Sequence, residues 1–320
     1  MPLGLVRSVI ESRAGNASEH DSGGTSCRSA VLVSGASSGI GLATTLRLAQ
    51  RGTLVFAGVR TREDAETLER DGGGAVKPVL LDVTDPDSIL RARARIEMQR
   101  EARLDGVVNN AGIAVAGPLE FLPLDELRRQ FDVNYFGTIA VVQAFLPLLR
   151  GSRGRIVNIS SVGGRISMPF LGAYASSKFA LEAASDALRV ELRPFGIAVS
   201  LIEPGAVRTP IWERSAQASL RILDNLPAAA RRVYEAPVHS LVRIGQRTGR
   251  EGIAPERVAL AIERALYSKR PRARYVVGFD ARVRLLLARL PDALRDRILL
   301  AALDASSLPE ARAPALDSTG

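Results

Sequence analysis

Two kinds of apolar pattern alternate along this chain. Short, nearly unbroken apolar runs are separated by longer stretches in which apolar residues return every three or four positions. The first kind reads as strands buried on both faces, the second as amphipathic helices. The runs lie at residues 30–34 (AVLVS), 53–60 (TLVFAGVR), 76–85 (VKPVLLDVTD), 104–112 (LDGVVNNAG), 155–161 (RIVNISS), 196–205 (GIAVSLIEPG) and 274–278 (RYVVG). Strands that alternate with helices predict an α/β fold. The expected architecture is a doubly wound parallel sheet of about seven strands with helices on both faces, right-handed crossovers and a ligand cleft at the strand C-terminal ends.

The flanks lack this rhythm. Residues 1–28 are Ser/Gly-rich and without period, which predicts a mobile tail; their apolar stretch near Leu3 is too short for a signal peptide. The domain is expected at 29–280, with a lid over the cleft at about 206–254. Residues 281–303 form a basic amphipathic segment containing Pro291, expected to pack on its own domain, close the substrate pocket or make a peripheral membrane contact. A disordered tail is expected at 304–320.

Composition narrows the partners. At 320 residues, 46% hydrophobic and 24% charged, the chain suits a soluble globular protein. Its formal charge of +9 comes from scattered arginines, with aromatics at only 5%. No basic stripe with interleaved aromatics appears, which argues against nucleic acid. No apolar run approaches the ~20 residues of a membrane span. Cys27 is the single cysteine, so no intrachain disulfide exists and a cytoplasmic location fits. His20 and His239 are the only histidines, so no metal site is expected and any His-based triad would fall to His239.

The candidate chemistry sits where strands end. After the first run comes GASSGIG, Gly35 to Gly41, and then an amphipathic helix. Strand, glycine loop and helix N-terminus are the parts of a phosphate-binding site, because glycines permit a close backbone and the helix offers free N–H groups. The second run ends in Val59 and Arg60 where an acid would otherwise meet a ribose 2′-hydroxyl. An Arg without a carboxylate favours a 2′-phosphate, hence NADP over NAD. Asp82 can meet an adenine ring, and Asp85 is expected as the N-cap of the following Arg-rich helix. Asn109 and Asn110 can tie strands together and line the cleft. Asn134 lies inside a helical stretch where Asn is poorly suited, so a partner or a kink is expected there.

Tyr174 and Lys178 stand four apart, one helical turn on one face, with Ser161 at the end of the fifth run. Lys77, Lys178 and Lys269 are the only lysines in a chain with 43 Lys plus Arg, so a lysine here is selective. A cation beside a phenol is expected to lower its pKa toward working pH and allow proton exchange with an alcohol or ketone. Over the cleft, Trp212, Leu220, Ile222, Leu223, Leu226 and Tyr234, with Met168, Pro169 and Phe170, are candidates for an apolar wall or for lid packing.

Together these residues resemble the short-chain dehydrogenase/reductase family over about 30–284. The resemblance rests on Gly35, Gly39, Ile40 and Gly41, on Asn109-Asn110-Ala111-Gly112, on Asn134, Ser161, Tyr174 and Lys178, and on Pro204-Gly205 through Thr209. It implies a Rossmann-type fold with cofactor contacts from Ser37, Ser38, Val83, Ala111, Gly112 and Val207 as well. The four catalytic roles it implies are these: Tyr174 exchanges the proton, Ser161 hydrogen-bonds the carbonyl oxygen, Lys178 holds the nicotinamide ribose, and Asn134 anchors a water. The second run and the core helices look like the retinol and 17-beta-hydroxysteroid dehydrogenase branch, which implies a lipophilic alcohol or ketone and an NADP cofactor, with NAD possible. A 3-oxoacyl reductase and a non-catalytic NADP-binding sensor or scaffold are the alternatives. The family also implies a homodimer or homotetramer.

Overall fold

All seven apolar runs form strands of one sheet. In the computed structural model of the chain, residues 27–302 are described. The expected tails fall outside them, except for Cys27 and Arg28, the latter opening the first strand. The strands are β1 (Arg28–Ser34), β2 (Leu54–Val59), β3 (Val76–Leu80), β4 (Ala102–Asn109), β5 (Arg155–Ile159), β6 (Ala198–Pro204) and β7 (Arg274–Val277). They pair in the order β3-β2-β1-β4-β5-β6-β7, every neighbour parallel. The order reverses between β1 and β4, the place where a doubly wound sheet opens a crevice.

Helices cover both faces. They are α1 (Gly39–Gln50), α2 (Arg62–Gly72), α3 (Pro86–Glu97), α4 (Leu124–Phe131), α5 (Gly137–Ser152), α6 (Gly172–Glu191), α7 (Ile211–Asp224), α8 (Ala228–Glu251), α9 (Pro255–Tyr267), α10 (Phe279–Leu287) and α11 (Asp292–Ala302). Side chains alternate across a strand. Ala30 and Leu32 of β1 therefore meet α3 and α5 through Ile89, Ile96, Val141 and Phe145. Val31 and Val33 meet α1 and α9 on the other face through Leu48, Val258 and Ile262. Two apolar layers fix the sheet, so the strand C-termini are held in register for the site above them.

Local signals behave as their chemistry requires. Asp85 caps α3 by accepting from the Asp87 N–H, and Thr61 caps α2, placing Glu63 and Asp64 in its first turn. The kink anticipated at Asn134 is a π-helical turn, Asp132–Phe136, between α4 and α5. Within this continuous helix, Leu124–Ser152, an 18-residue window with a mean hydropathy of 1.3 is long and apolar enough by length and composition to cross a membrane. This corrects the expectation that no stretch approaches the length of a membrane span: the helix meets it despite polar positions such as Gln143 that break the apolar run. Its face bearing Val141, Val142, Phe145 and Leu149 packs on the sheet.

The expected lid is a helical hairpin, α7 and α8. The expected amphipathic extension is two helices, α10 and α11, separated at Pro291. Phe279, Leu286 and Leu294 there are exposed.

Candidate active site

A cleft of about 590 Å³ opens above the β1/β4 crossover. Its floor is the glycine loop. Gly35 has φ 64°, a left-handed conformation that a side chain would strain. Gly41 does not line the cleft; a Cβ there would overlap the Gly35 carbonyl oxygen, so this glycine lets α1 pack under its own loop. Ser38 is the N-cap of α1 and makes no side-chain cap bond, and the first turn holds no acid. The orphan N–H groups of that turn are thus left facing the cleft, as a phosphate site requires.

Asn110 fixes the loop. Its Nδ2 donates to the carbonyls of Ser34 (3.0 Å) and Gly35 (2.9 Å), while the Ser34 hydroxyl accepts from the N–H groups of Asn110 and Ala111. The adjacent Asn109, expected at the cleft, is instead buried within the sheet, donating to Asn158 at 2.8 Å. The strand alternation decides this: one asparagine of the pair must face into the sheet and the other toward the loop. Asn110 is therefore the loop-holding residue that reading the motif as a whole did not single out.

The other expected cofactor contacts, Ser37, Ser38, Gly39, Ile40, Arg60, Asp82, Val83, Ala111, Gly112, Tyr174, Lys178, Pro204, Gly205, Val207 and Thr209, all line the cleft. Asp82 accepts from the Thr84 N–H and hydroxyl, which orients its carboxylate. Arg60 is exposed at the end of β2, with no ion pair among the described residues. Arg129, which pairs with Glu126, and Arg214 and Arg221, none of them anticipated, join it around the rim; with the buried Lys178 at the inner end, five cations and a single carboxylate, Asp82, line the cleft. That balance suits a polyanion.

The reactive groups meet at the inner end. Ser161 follows β5 and accepts from the Gly163 N–H at 3.0 Å, which leaves its own O–H to donate toward Tyr174. Tyr174, in the first turn of α6, lies beside it. Burial pushes the Tyr174 pKa up, and a hydrogen bond with Ser161 offsets part of that. The expected lowering by Lys178 is not found in the bare protein: Lys178 is itself buried, and its Nζ, 5.9 Å from the Tyr174 ring centroid, donates to the Ile159 carbonyl at 2.8 Å. Burial lowers the Lys178 pKa to about 8, against the pull of Glu182 one turn further along α6. Glu182 belongs to a partly buried ionic knot in which Arg274 of β7 bridges Glu182, the more exposed Asp186 and the fully buried Glu203. No pattern in the sequence marked this knot, because its members come from three separate elements.

Asn134 lines neither cavity. Its Oδ1 accepts from the Ile113 N–H and its Nδ2 donates to the Ile113 carbonyl and to Ser177, so the side chain ties the π-helical turn to the segment after β4. Gln130 does the same at Val115 and Ile113.

A second, smaller chamber of about 80 Å³ adjoins the cleft under the α7–α8 hairpin. Ser161, Tyr174, Gly205, Trp212 and Ser215 line both spaces. The chamber is walled by Val162, Ile166, Met168, Pro169, Leu171, Ala216, Leu241 and Val242. Of the lid candidates, Trp212 faces it, whereas Ile222 packs against Val115, Leu122 and Ala173 as lid core, and Leu223 is buried. Tyr234 packs edge-on against Phe121 and Phe170, which takes Phe170 out of the wall.

The family model for short chain dehydrogenases matches residues 29–219. The chain belongs to the short-chain dehydrogenase/reductase family. Its relatives place this short-chain dehydrogenase/reductase in the retinol dehydrogenase-like branch. It is 40% identical over 277 residues to retinol dehydrogenase 5 of Homo sapiens, covering 84% of this chain and 87% of that protein. It is 35% identical over 279 residues to an NADPH-dependent 3-dehydrocapnine reductase of Ornithobacterium rhinotracheale, covering 84% and 95%. Among solved structures it resembles a short chain dehydrogenase from Burkholderia cenocepacia J2315 in complex with NADP, with a TM-score of 0.65, 26% identity and coverage of 86% and 98%. As a member of this family the chain is an oxidoreductase of the alcohol/carbonyl type.

Proposed function

We propose that this oxidoreductase uses NADP(H) to interconvert a lipophilic alcohol and its ketone or aldehyde, with Tyr174 exchanging the proton. The observation that carries the reading is the junction: the Ser161 and Tyr174 hydroxyls stand at the boundary between a cationic, glycine-floored cleft and an apolar chamber. A polyanionic cofactor suits the first space and an apolar substrate the second. The cleft's residues fit such a cofactor, since the uncapped helix N-terminus and the rim cations match a pyrophosphate and the unpaired Arg60 matches a 2′-phosphate.

When bound, the nicotinamide supplies or accepts the hydride. The chain's own residues do the rest. Ser161 turns its O–H from Tyr174 to the substrate oxygen, stabilising charge that grows there in the transition state. Tyr174 gives a proton to that oxygen in reduction and takes it back in oxidation. Lys178 holds its position through the Ile159 carbonyl and lends positive charge below the phenol. The apolar walls exclude water from the reacting oxygen, which strengthens both contacts. At about 80 Å³ the chamber admits a small apolar group; a steroid- or retinoid-sized molecule needs more room, since sites for such ligands run to roughly 300 Å³ and more.

Tyr174→Phe tests the reading. NADPH consumption with a hydrophobic ketone is expected to fall roughly 10³-fold while NADPH binding stays within about twofold. A variant that retains near-wild-type turnover removes Tyr174 from the mechanism.

A further inference from the structure

One charged side chain reaches the substrate chamber. Arg284 lies on α10, in the C-terminal extension, and it is the only charged residue among those lining the chamber. It is half-buried, and among the described residues no carboxylate pairs with it. The neighbouring arginines of the cleft rim face a space where phosphates are expected; Arg284 faces the other space.

Its placement is built rather than incidental. Asp280, one helical turn earlier on the same face of α10, accepts from the Ala206 N–H at 2.8 Å. The contact is so close that a Cβ on Gly205 would overlap the Asp280 carboxylate. Ala281 of the same helix is fully buried against Val162 and Ile166, two residues of the chamber wall. The helix is thus clamped at its start to the loop after β6 and along its length to the chamber, and residue 284 follows one turn on, facing inward. A half-buried guanidinium beside apolar walls is only partly solvated, and its planar fork matches carboxylate, sulfonate or phosphate oxygens in paired hydrogen bonds.

We propose that Arg284 binds an anionic group carried by the substrate, so that the substrate is an amphiphile with its alcohol or carbonyl carbon at Tyr174 and an acid on the far side of an apolar body. This refines the substrate class of the proposed function and rests on the chamber being the substrate site. It assigns the C-terminal extension a part in specificity.

Trp212 supplies a readout that needs no turnover. It is the only tryptophan in the chain and it lines both the chamber and the cleft, so the titrations are run with NADP+ saturating the cleft and its fluorescence then reports occupancy of the chamber. Decanoate and decanol are titrated against wild type, Arg284→Gln, Arg284→Lys and Arg289→Gln. The last removes the same charge from an exposed residue that lines neither cavity. Wild type is expected to bind decanoate ~10-fold or more tighter than decanol. Arg284→Gln abolishes that preference and leaves decanol affinity unchanged, Arg284→Lys keeps part of it, and Arg289→Gln behaves as wild type. Equal affinity for the two probes, binding of neither, or equal effects of the two Gln variants overturns the proposal, the last because it reports only the basic surface or a guanidinium that reaches out to water along the chamber wall. Turnover is scored separately. Loss of NADPH-dependent ketone reduction with the decanoate preference intact refutes the catalytic reading alone; turnover without the preference refutes only the anion site.

Discussion

The cleft and the chamber share five residues and are built by opposite means. The cleft is shaped by backbone: glycines that let the chain turn and approach, an uncapped helix end, and asparagine side chains that hold carbonyls in place. Its residues come from strand C-termini that the sheet positions in fixed register. The chamber is shaped by side chains drawn from far apart: Met168 before α6, Trp212 on α7, Leu241 on α8 and Arg284 on α10. Backbone geometry tolerates few residues at each position, whereas an apolar wall accepts any side chain of suitable volume. One space is therefore fixed for a constant ligand, and the other is free to vary with the substrate.

The contrast is sharpest at Gly41. Replacement by Ala forces a Cβ into the Gly35 carbonyl oxygen and displaces either the loop or α1. Cofactor affinity is expected to fall by roughly 10²-fold or more, measured by nicotinamide fluorescence, since phosphate contacts depend on that loop. Decanol quenching of Trp212 is expected to be unchanged in the folded variant. Loss of both together breaks the division into two independently built spaces.

A smaller effect is expected at Lys178, at the inner end of the cleft. Its pKa in the folded chain is lowered to about 8 from 10.5. Between these values the unfolded chain holds a proton that the folded chain has released, so the Lys178 contribution to stability rises with pH across that window. Relative to Lys178→Met, wild type is expected to gain about 1 kcal/mol per pH unit between pH 8 and 10, read from urea unfolding of both proteins. A flat difference means that Lys178 titrates normally and that burial does not govern it.

The same division explains what the sequence could tell. Strand positions, sheet topology class and the loop from Gly35 to Gly41 were legible because they obey local rules of periodicity and turn chemistry. Arg60, Ser161, Tyr174 and Lys178 were legible for the same reason, each lying at a fixed offset from a strand end or along a helix face. Asn109 and Asn110 show the limit: adjacent and identical, they differ only in which way the strand end turns them, and the one that holds the loop is Asn110. Asn134 announced its kink, but its role as a tether to Ile113 depends on a partner 21 residues away. The ionic knot of Glu182, Glu203 and Arg274, the cationic rim of Arg129, Arg214 and Arg221, and Arg284 were illegible because each needs tertiary proximity. The pKa of Tyr174 was misjudged for a related reason: sequence spacing shows the nearby cation but not the burial that outweighs it.

The most direct test of the account is a titration of NADPH and NADH against wild type and Arg60→Asp, followed by nicotinamide fluorescence. Arg60 stands unpaired where β2 ends beside Val59, so wild type is expected to favour NADPH by at least ~10-fold, and the new carboxylate is expected to reverse that preference. Equal binding of the two cofactors, or an NADPH preference that survives the substitution, would contradict the assignment of the cleft and of Arg60 within it.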